Sequence, residues 1–350
     1  MVSRTPPKVS ICVPNLNTRP YLPERFETIF NQTFQNWELI VCDSHSDDGS
    51  WEYIQELAAR EPRMKISQTP RNGVYAGFND CISLARGEYV YIATSDDTMA
   101  LDFLEKMVMA LEKNPDCGIA HCCLYFIDEH SNKIFSGHCW DNWYTTRFFG
   151  DWNKKYHVRS RGHDTIVALA LKTVYYSITQ ILLRRRLFDA VGMFEGKWGS
   201  FGDLEWQMRA TLATKTVHVP EYLATWRIHP QQASQIEHYF KAIRDGWFCE
   251  IAETVITFSR KHNLPMQGGL PGRLKRFYWM ESIDARMAAE KTFYHKLIVV
   301  LKSLWSNPKM IKLFLKTRLR SRFLGRRPDI DGELRGELSR LNVNDLVAAK

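Results

Sequence analysis

Short apolar runs alternate with helix-spaced stretches through the first third of this chain, and that alternation constrains its fold more than any other feature. The apolar runs cover residues 9–13, closed by Pro14; 37–42, running to Asp43; 64–67; 88–93, leading into Thr94-Ser95-Asp96-Asp97; and 118–127. Between them, residues 22–32, 51–60, 74–85 and 102–113 carry apolar side chains at helical intervals, with Leu22, Phe26, Ile29 and Phe30 sharing one face of the first. Ser50 is the expected N-cap of the second helix, and Arg86-Gly87 the expected glycine stop of the third. Strands alternating with helices predict an α/β fold with a mostly parallel central sheet and helices on both faces. Ligands of such sheets sit beyond the carboxyl ends of the strands. Asp43 follows the second strand and Asp96-Asp97 the fourth, so these carboxylates are expected to face one crevice.

Residues 136–162 are rich in Trp, Tyr, His and Arg without clean periodicity, and read as an irregular loop region. Trp140, Trp143, Trp152 and Trp198 have the flat faces that stack on sugars, although such residues more often anchor cores and loops. Beyond that region, residues 177–183 read as a strand, 187–191 as a short helix, 203–212 as a helix, 216–219 and 223–228 as strands, and everything past Glu237 as helical. The most apolar long stretch, residues 165–183, is interrupted by Lys172, Thr179 and Gln180 and followed by Arg184-Arg185-Arg186. A buried helix followed by a strand fits it better than a membrane-spanning helix.

The formal net charge is +8, and the excess sits late in the sequence: residues 291–327 contain Lys and Arg repeatedly but no Asp or Glu. Apolar and basic residues interleave there, with Pro308 expected to separate two helices. Such a segment suits an anionic membrane surface; the alternative is helices packed on the catalytic part with a charged outer face. The tail after Pro328 is polar and expected to be mobile. No nucleic-acid motif accompanies the charge. The eight cysteines form no C-x-x-C pair, and Cys12 and Cys42 lie inside apolar runs, as small buried hydrophobes do in a reduced compartment. The first residues show no signal-peptide apolar region. The expected location is therefore cytoplasmic, peripheral at the inner face of the cell membrane.

Two adjacent carboxylates on a loop after a strand suit Mg²⁺ or Mn²⁺, which take oxygen ligands from one or two carboxylates and from substrate phosphates. A solvated turn or a helix cap explains the same pair equally well. Asp43 at its strand end can accept a hydrogen bond from the imide N–H of uracil or thymine, or simply cap the turn. Walker-A and G-x-G-x-x-G elements are absent.

Taken in order, these segments resemble the family 2 glycosyltransferases. The resemblance runs from the opening strand and its Pro14-Asn15-Leu16-Asn17 end, through Asn31-Gln32-Thr33-Phe34, to IVCDSHSDDGS at 40–50, similar to V-D-D-G-S-x-D-G-S. It continues in PRNGVYAGFNDCISLARGEYVYIATSDD at 70–97, RRLFDAVGMF at 185–194, FGDLEWQMR at 201–209 and WRIHP at 226–230, covering about residues 8–235. It implies a GT-A nucleotide-sugar-binding fold with a C-terminal helical extension. Residues 1–235 would be catalytic, with a nucleotide-binding half to about 115 and an acceptor half from 116. Residues 236–327 would be a basic amphipathic extension, and 328–350 a polar tail. The implied activity is transfer of a sugar, with inversion, from a UDP- or dTDP-linked donor to a glycan or lipid-linked acceptor in surface polysaccharide or glycolipid assembly, assisted by Mn²⁺ or Mg²⁺. Pro14, Asn17 and Asp43 would border the base, Arg71 and Asn72 the base and diphosphate, and Asp96 the ribose or metal. Asp97 and His229 would hold the metal, Arg227 would close over the diphosphate, and Asp203 would be the catalytic base. Asp203 as a mere helix N-cap, and Glu205 as a rival base, are the alternatives at that position. Thr94 replaces the usual first acidic residue of the metal motif, and Gly202 the acidic residue that usually precedes the base. An inactive membrane-associated nucleotide-sugar-binding protein and, more remotely, a nucleotidyltransferase are the competing readings.

Overall fold

A computed structural model describes residues 6–135, 144–232, 236–263, 269–306, 308, 311, 330–340 and 346–349. The strands are β1 (Val9–Asn15), β2 (Trp37–Asp43), β3 (Met64–Gln68), β4 (Tyr89–Ile92), β5 (Cys117–Ile127), β6 (His157–Arg159), β7 (Ile181–Arg184), β8 (Lys215–Arg227) and β9 (Leu346–Ala348). The helices are α1 (Leu22–Phe30), α2 (Ser50–Ala58), α3 (Val74–Leu84), α4 (Phe103–Lys113), α5 (Tyr144–Phe149), α6 (His163–Leu171), α7 (Arg186–Val191), α8 (Gly202–Ala213), α9 (Ile236–Asp245), α10 (Trp247–Lys261), α11 (Leu270–Ala289), α12 (Phe293–Ser306) and α13 (Ile330–Arg340).

The strands form one sheet in the order β3-β2-β1-β4-β7-β5-β8-β6-β9. The first four pair in parallel, as the strand–helix alternation requires. Beyond them β7 enters antiparallel between β4 and β5, while β5 and β8 pair in parallel. Neighbouring residues of β1 bury on opposite faces. Val9, Ile11 and Val13 meet α1 and α4 on one side, and Cys12 meets α3 on the other. That second core runs on through α6, α8, α10 and α11, carried by Ile166, Trp206, Ile251, Val255 and Tyr278. Helices therefore cover both faces, and the carboxyl ends of the parallel strands stay open for a site.

Several local expectations change. Helix α2 starts at Ser50 itself, so Ser50 is not its N-cap; Gly49 holds that position in the left-handed region, and the Ser50 N–H bonds to Asp48 Oδ1. Gly87 does not stop α3; the helix ends into an extended Ala85. A Cβ on Gly87 would lie 2.6 Å from the Ser10 backbone nitrogen, so glycine there lets the chain pass close against β1. Residues 178–180 form a 3₁₀ turn instead of the start of a strand, because Ser177 and Gln180 close a capping box. The two late strands expected at 216–219 and 223–228 are one bent strand, β8. The apolar stretch from residue 165 divides into α6 and β7, and among the described residues no helix is long and apolar enough to cross a membrane.

The polar tail is not wholly unstructured. Helix α13 buries Leu334 and Leu338, four residues apart, in the core that contains α6, and β9 extends the sheet beside β6. Two fully buried leucines contribute roughly 1.5–3 kcal/mol each, enough to hold a short helix in place. Six cysteines are buried, Cys249 is partly buried, and Cys139 lies outside the described residues.

A polar cluster is sealed between β5, β6, β8 and α6. Asp164 accepts hydrogen bonds from Arg159 (3.2 Å), Tyr175 (2.6 Å) and Thr216 (2.9 Å), and lies 3.0 Å from His163 Nδ1. Arg159 Nε donates to His157 Nε2 at 2.9 Å. His218 Nδ1 lies 3.2 Å from His121 Nδ1, and its Nε2 2.9 Å from the Asn153 carbonyl oxygen. Burial pushes all four imidazoles below their ordinary value of 6.5, His157 to about 3. The cluster is thus held together by neutral histidines.

Candidate active site

The ends of β1 and β2 lie in register, Asn15 opposite Asp43. Asp43 is fully buried there. Its Oδ1 accepts from Asn15 Nδ2 (2.7 Å) and Ser46 Oγ (2.6 Å), and its Oδ2 accepts from the Ser46 N–H (2.9 Å). Of the roughly four lone-pair positions of a carboxylate, about one remains for a base. Asn17 and Asp47 exchange two bonds of 2.9 Å, side chain to side chain and Asp47 N–H to Asn17 Oδ1. Arg71 closes the same loop from the far side. Its guanidinium bonds to the Ser44 carbonyl (3.0 Å), the His45 carbonyl and Asp47 Oδ2 (3.1 Å), yet the residue stays exposed. Asn72 is exposed beside it, and Pro14 is half-buried at the end of β1. Pro14, Asn17, Asp43, Arg71 and Asn72 thus surround one loop at the sheet's carboxyl edge.

The acidic pair after β4 divides into unlike halves. Asp97 is buried, and both its oxygens are engaged: Oδ2 by Thr94 Oγ1 (2.5 Å) and Oδ1 by the Arg227 N–H (2.7 Å). Burial, followed by the neighbouring Asp96, pushes its carboxyl up to about 7. Both oxygens are engaged within the protein, so a cation held by Asp97, the role expected of it, would have to share or displace these partners. Asp96 is the accessible member, its Oδ2 3.0 Å from His229 Nε2. That contact holds the imidazole above its ordinary value. Thr94 also gains a reason: a hydroxyl there donates to Asp97, where the carboxylate usual in the resembling family would repel it.

Arg227 does not reach for a diphosphate. It is fully buried, with Nε on the Asp96 carbonyl (2.6 Å), Nη1 on the Asp128 carbonyl (3.0 Å) and Ser131 Oγ (2.9 Å), and Nη2 on Glu24 (2.7 Å). Its guanidinium lies 5.0 Å from the Tyr21 ring centroid, and that ring is 4.8 Å from His229. Arg227 pins the end of β8 to the loop after β4, and so sets where Asp96 and His229 meet. Sequence reasoning missed this because three separate segments, at residues 21–24, at Asp96 and at residues 128–131, supply its partners.

Asp203 lies in the first turn of α8, inside the helix and not at its cap, which is Phe201. Oδ1 accepts from the Leu204 N–H (2.8 Å) and from the Tyr75 hydroxyl (3.0 Å). Tyr75 belongs to the first turn of α3, which starts at the carboxyl end of β3, so the contact draws Asp203 to the same end of the sheet as the acidic pair. Burial raises its carboxyl, partly opposed by the Tyr75 bond. A carboxylate of raised basicity is what a general base needs. Glu205 is fully buried and paired with Arg209 at 2.7 and 2.9 Å, a structural ion pair closed to substrate. Gly202 is explained by packing as well. A Cβ there would stand 2.6 Å from Tyr75 Cε2 and 2.6 Å from the Glu195 carbonyl oxygen, so the Tyr75 ring excludes an acidic side chain. Tyr75→Phe is expected to raise the Asp203 pKa and move the acid limb of the kcat–pH profile to higher pH. Rate would fall about tenfold per pH unit below that limb; an unmoved limb contradicts the coupling.

Trp198 is buried in the core and Trp152 packs edge-on against His157, so neither presents an open sugar-stacking face. Trp140 and Trp143 lie outside the described residues. A separate cavity of about 720 Å³, lined by Arg161, Arg186, Leu187 and Lys215 among others, opens near the start of β5 and β8, away from the carboxylates.

Among the described residues no group of three His, Cys, Asp or Glu side chains could hold a metal ion. Asp96 and His229 offer two ligands, so a cation fits only if donor phosphates and water complete its shell, an arrangement usual for Mg²⁺ and Mn²⁺.

The family model described as "Glycosyl transferase family 2" matches residues 10–192, more than half of the chain. The putative glycosyltransferase EpsE of Bacillus subtilis (strain 168) is 35% identical over 125 residues, which are 35% of this chain and 45% of EpsE. The chain spans about half or less of the length of the curated relatives it matches. Among solved structures, S. aureus TarS 1–349 in complex with UDP-GlcNAc superposes with a TM-score of 0.58 at 14% identity, covering 98% of this chain and 97% of that one. The mannosyltransferase PcManGT from Pyrobaculum calidifontis, in complex with GDP-Man and Mn²⁺, gives 0.53 at 16% identity, covering 97% and 88%. At such identities these likenesses show the fold, which is GT-A.

Proposed function

The chain belongs to glycosyl transferase family 2, and from that premise we propose that it transfers a sugar, with inversion, from a nucleoside-diphosphate donor to an acceptor hydroxyl. The observation that carries the reading is the position of Asp203. A half-buried carboxyl of raised basicity is held by Tyr75 at the same end of the sheet as Asp96 and His229. In the proposed reaction Asp203 takes the proton of the acceptor hydroxyl as its oxygen attacks the anomeric carbon and the bond to the diphosphate breaks. Asp96 and His229 would hold a divalent cation together with the donor phosphates, and that ion would neutralise charge on the departing diphosphate. Thr94, Asp97 and Arg227 act through them, by fixing the loop and strand end that carry both ligands.

The base would lie against the loop framed by Pro14, Asn17, Asp43, Arg71 and Asn72. Asp43 keeps about one acceptor position but is fully buried with the loop as it stands, so an imide N–H would reach it only as the loop opens on donor binding. That contact would favour uracil or thymine and makes UDP- or dTDP-linked sugars the proposed donors. TarS, whose fold this chain shares, is recorded with UDP-GlcNAc, whereas PcManGT is recorded with GDP-Man, so the base is a point to test. The proposed acceptor is a glycan or a lipid-linked glycan of surface polysaccharide or glycolipid assembly. A lipid-linked acceptor would bring the enzyme to the inner face of the membrane.

Thermal unfolding with UDP, dTDP and GDP, each with and without Mn²⁺, tests donor binding. A uracil or thymine nucleotide with metal is expected to stabilise the fold by about 2.7 kcal/mol at a hundred times its Kd. Asp96→Ala should remove the metal-dependent part. No stabilisation by any nucleotide, with or without metal, contradicts the reading.

A further inference from the structure

Helix α12 carries an apolar face that the described residues leave uncovered. Tyr294, Leu297, Leu301 and Trp305 follow one another at intervals of three, four and four, which places them on one side of the helix. They are 68%, 44%, 56% and 89% exposed, and Phe293 before them is 83% exposed. Ser303 is the buried residue of α12, and no residue of the helix joins either hydrophobic core. Scattered exposed apolar residues are ordinary, but a continuous stripe ending in a tryptophan marks a surface that meets something else.

Charge indicates the partner. Lys291, His295 and Lys302 are exposed on and next to the helix, and residues 291–327 contain no Asp or Glu. A second copy of the chain is a poor occupant: a symmetric contact would set this segment, basic throughout, against itself. An anionic lipid surface satisfies both properties at once. Acyl chains accept the stripe, and acidic headgroups meet the flanking cations.

We infer that α12 lies in the headgroup region of an anionic bilayer, inserting Tyr294, Leu297, Leu301 and Trp305 while the exposed Lys291 and Lys302 contact acidic headgroups. The helix lies on the surface and does not span. This surface is separate from the carboxylate site, so the inference does not depend on the proposed glycosyl transfer.

The test is flotation of the full chain with two kinds of vesicle, phosphatidylcholine alone and an equal mixture with phosphatidylglycerol. It is repeated for the variant Leu297→Gln/Leu301→Gln/Trp305→Gln. Because these side chains are exposed, the variant is expected to keep the wild-type melting temperature and nucleotide-induced stabilisation. The wild type should float with the anionic vesicles, remain in solution with phosphatidylcholine and be released by raised salt. The variant should lose at least about tenfold in partition, the scale expected when several apolar side chains leave an interface. Equal partition of variant and wild type overturns the inference, as does equal binding to both vesicle types. A wild-type dimer that the variant dissociates, with no flotation, also overturns it and assigns the stripe to contact between copies. A charge variant, Lys296→Glu/Lys302→Glu, gives an independent check; it should weaken anionic binding without altering the apolar stripe.

Discussion

Asp203→Asn is expected to lower kcat by about 10²–10⁴-fold while leaving donor binding nearly intact, because the change removes the group that takes the acceptor proton and keeps its shape. The amide can still accept from the Leu204 N–H and the Tyr75 hydroxyl, so the first turn of α8 should hold. Steady-state kinetics combined with nucleotide binding on the same preparation separates the two effects. Equal losses in kcat and in donor affinity would mean that Asp203 shapes the donor site instead of acting as base. Glu205→Gln is the control. It weakens a buried pair with Arg209 and leaves that guanidinium undercompensated, so it should lose stability, whereas Asp203→Asn should not. A Glu205→Gln protein of normal stability but without turnover would exchange the roles assigned to the two residues.

The second large effect is on acid stability. His121, His157, His163 and His218 are all depressed below 6.5 by burial. A histidine depressed in the folded state stabilises the fold fully above its unfolded value. It loses that contribution as pH falls below about 6.5, because only the unfolded chain then gains the proton. Each contributes a slope of about 1.4 kcal/mol per pH unit while it titrates. Asp97 runs the other way across the same window, since a carboxyl raised to about 7 is protonated first in the folded state. His229, raised by Asp96, changes the balance only above 6.5. Four histidines oppose one carboxyl, so the fold is expected to lose stability as pH falls from 7.5 to 5.5. Urea unfolding at pH 7.5 and 5.5 measures it directly. Geometry gives the same sign: His121 Nε2 has no partner among the described residues, so a proton added there would be a buried, unpaired donor. Equal stability at the two pH values would show that the cluster admits water or rearranges without penalty.

The parallel half of the fold was legible because local pattern and global requirement coincide there. Val9–Asn15, Trp37–Asp43 and Tyr89–Ile92 are buried on both faces, so each reads as a continuous apolar run, and each ends where the chain must turn polar. The antiparallel entry of β7 was not legible, because a strand of four residues carries no signal for its direction or neighbours. Nor was α13, whose hold on the protein rests on Leu334 and Leu338 within an otherwise polar segment.

At the site, the motif order located the acidic pair and Asp203, but individual roles depended on distant partners. Asp97 is engaged on both oxygens because Thr94 and the Arg227 N–H, which arrives from another strand, converge on it, and Arg227 is held as a clamp because Glu24, Asp128 and Ser131 converge on it. The two departures from the family pattern, Thr94 and Gly202, look like losses in the sequence. In the fold they are accommodations, to Asp97 and to the Tyr75 ring.

The central claim is that this carboxylate site turns over a nucleotide-sugar. It is tested most directly by measuring nucleoside-diphosphate release from UDP-, dTDP- and GDP-sugars in the presence of Mn²⁺, with wild type and Asp203→Asn in parallel. The account expects release from at least one uracil or thymine donor, dependent on metal and reduced by about 10²-fold or more in the variant. A correctly folded wild type that releases nothing from any donor, or a variant that matches the wild type, would contradict it.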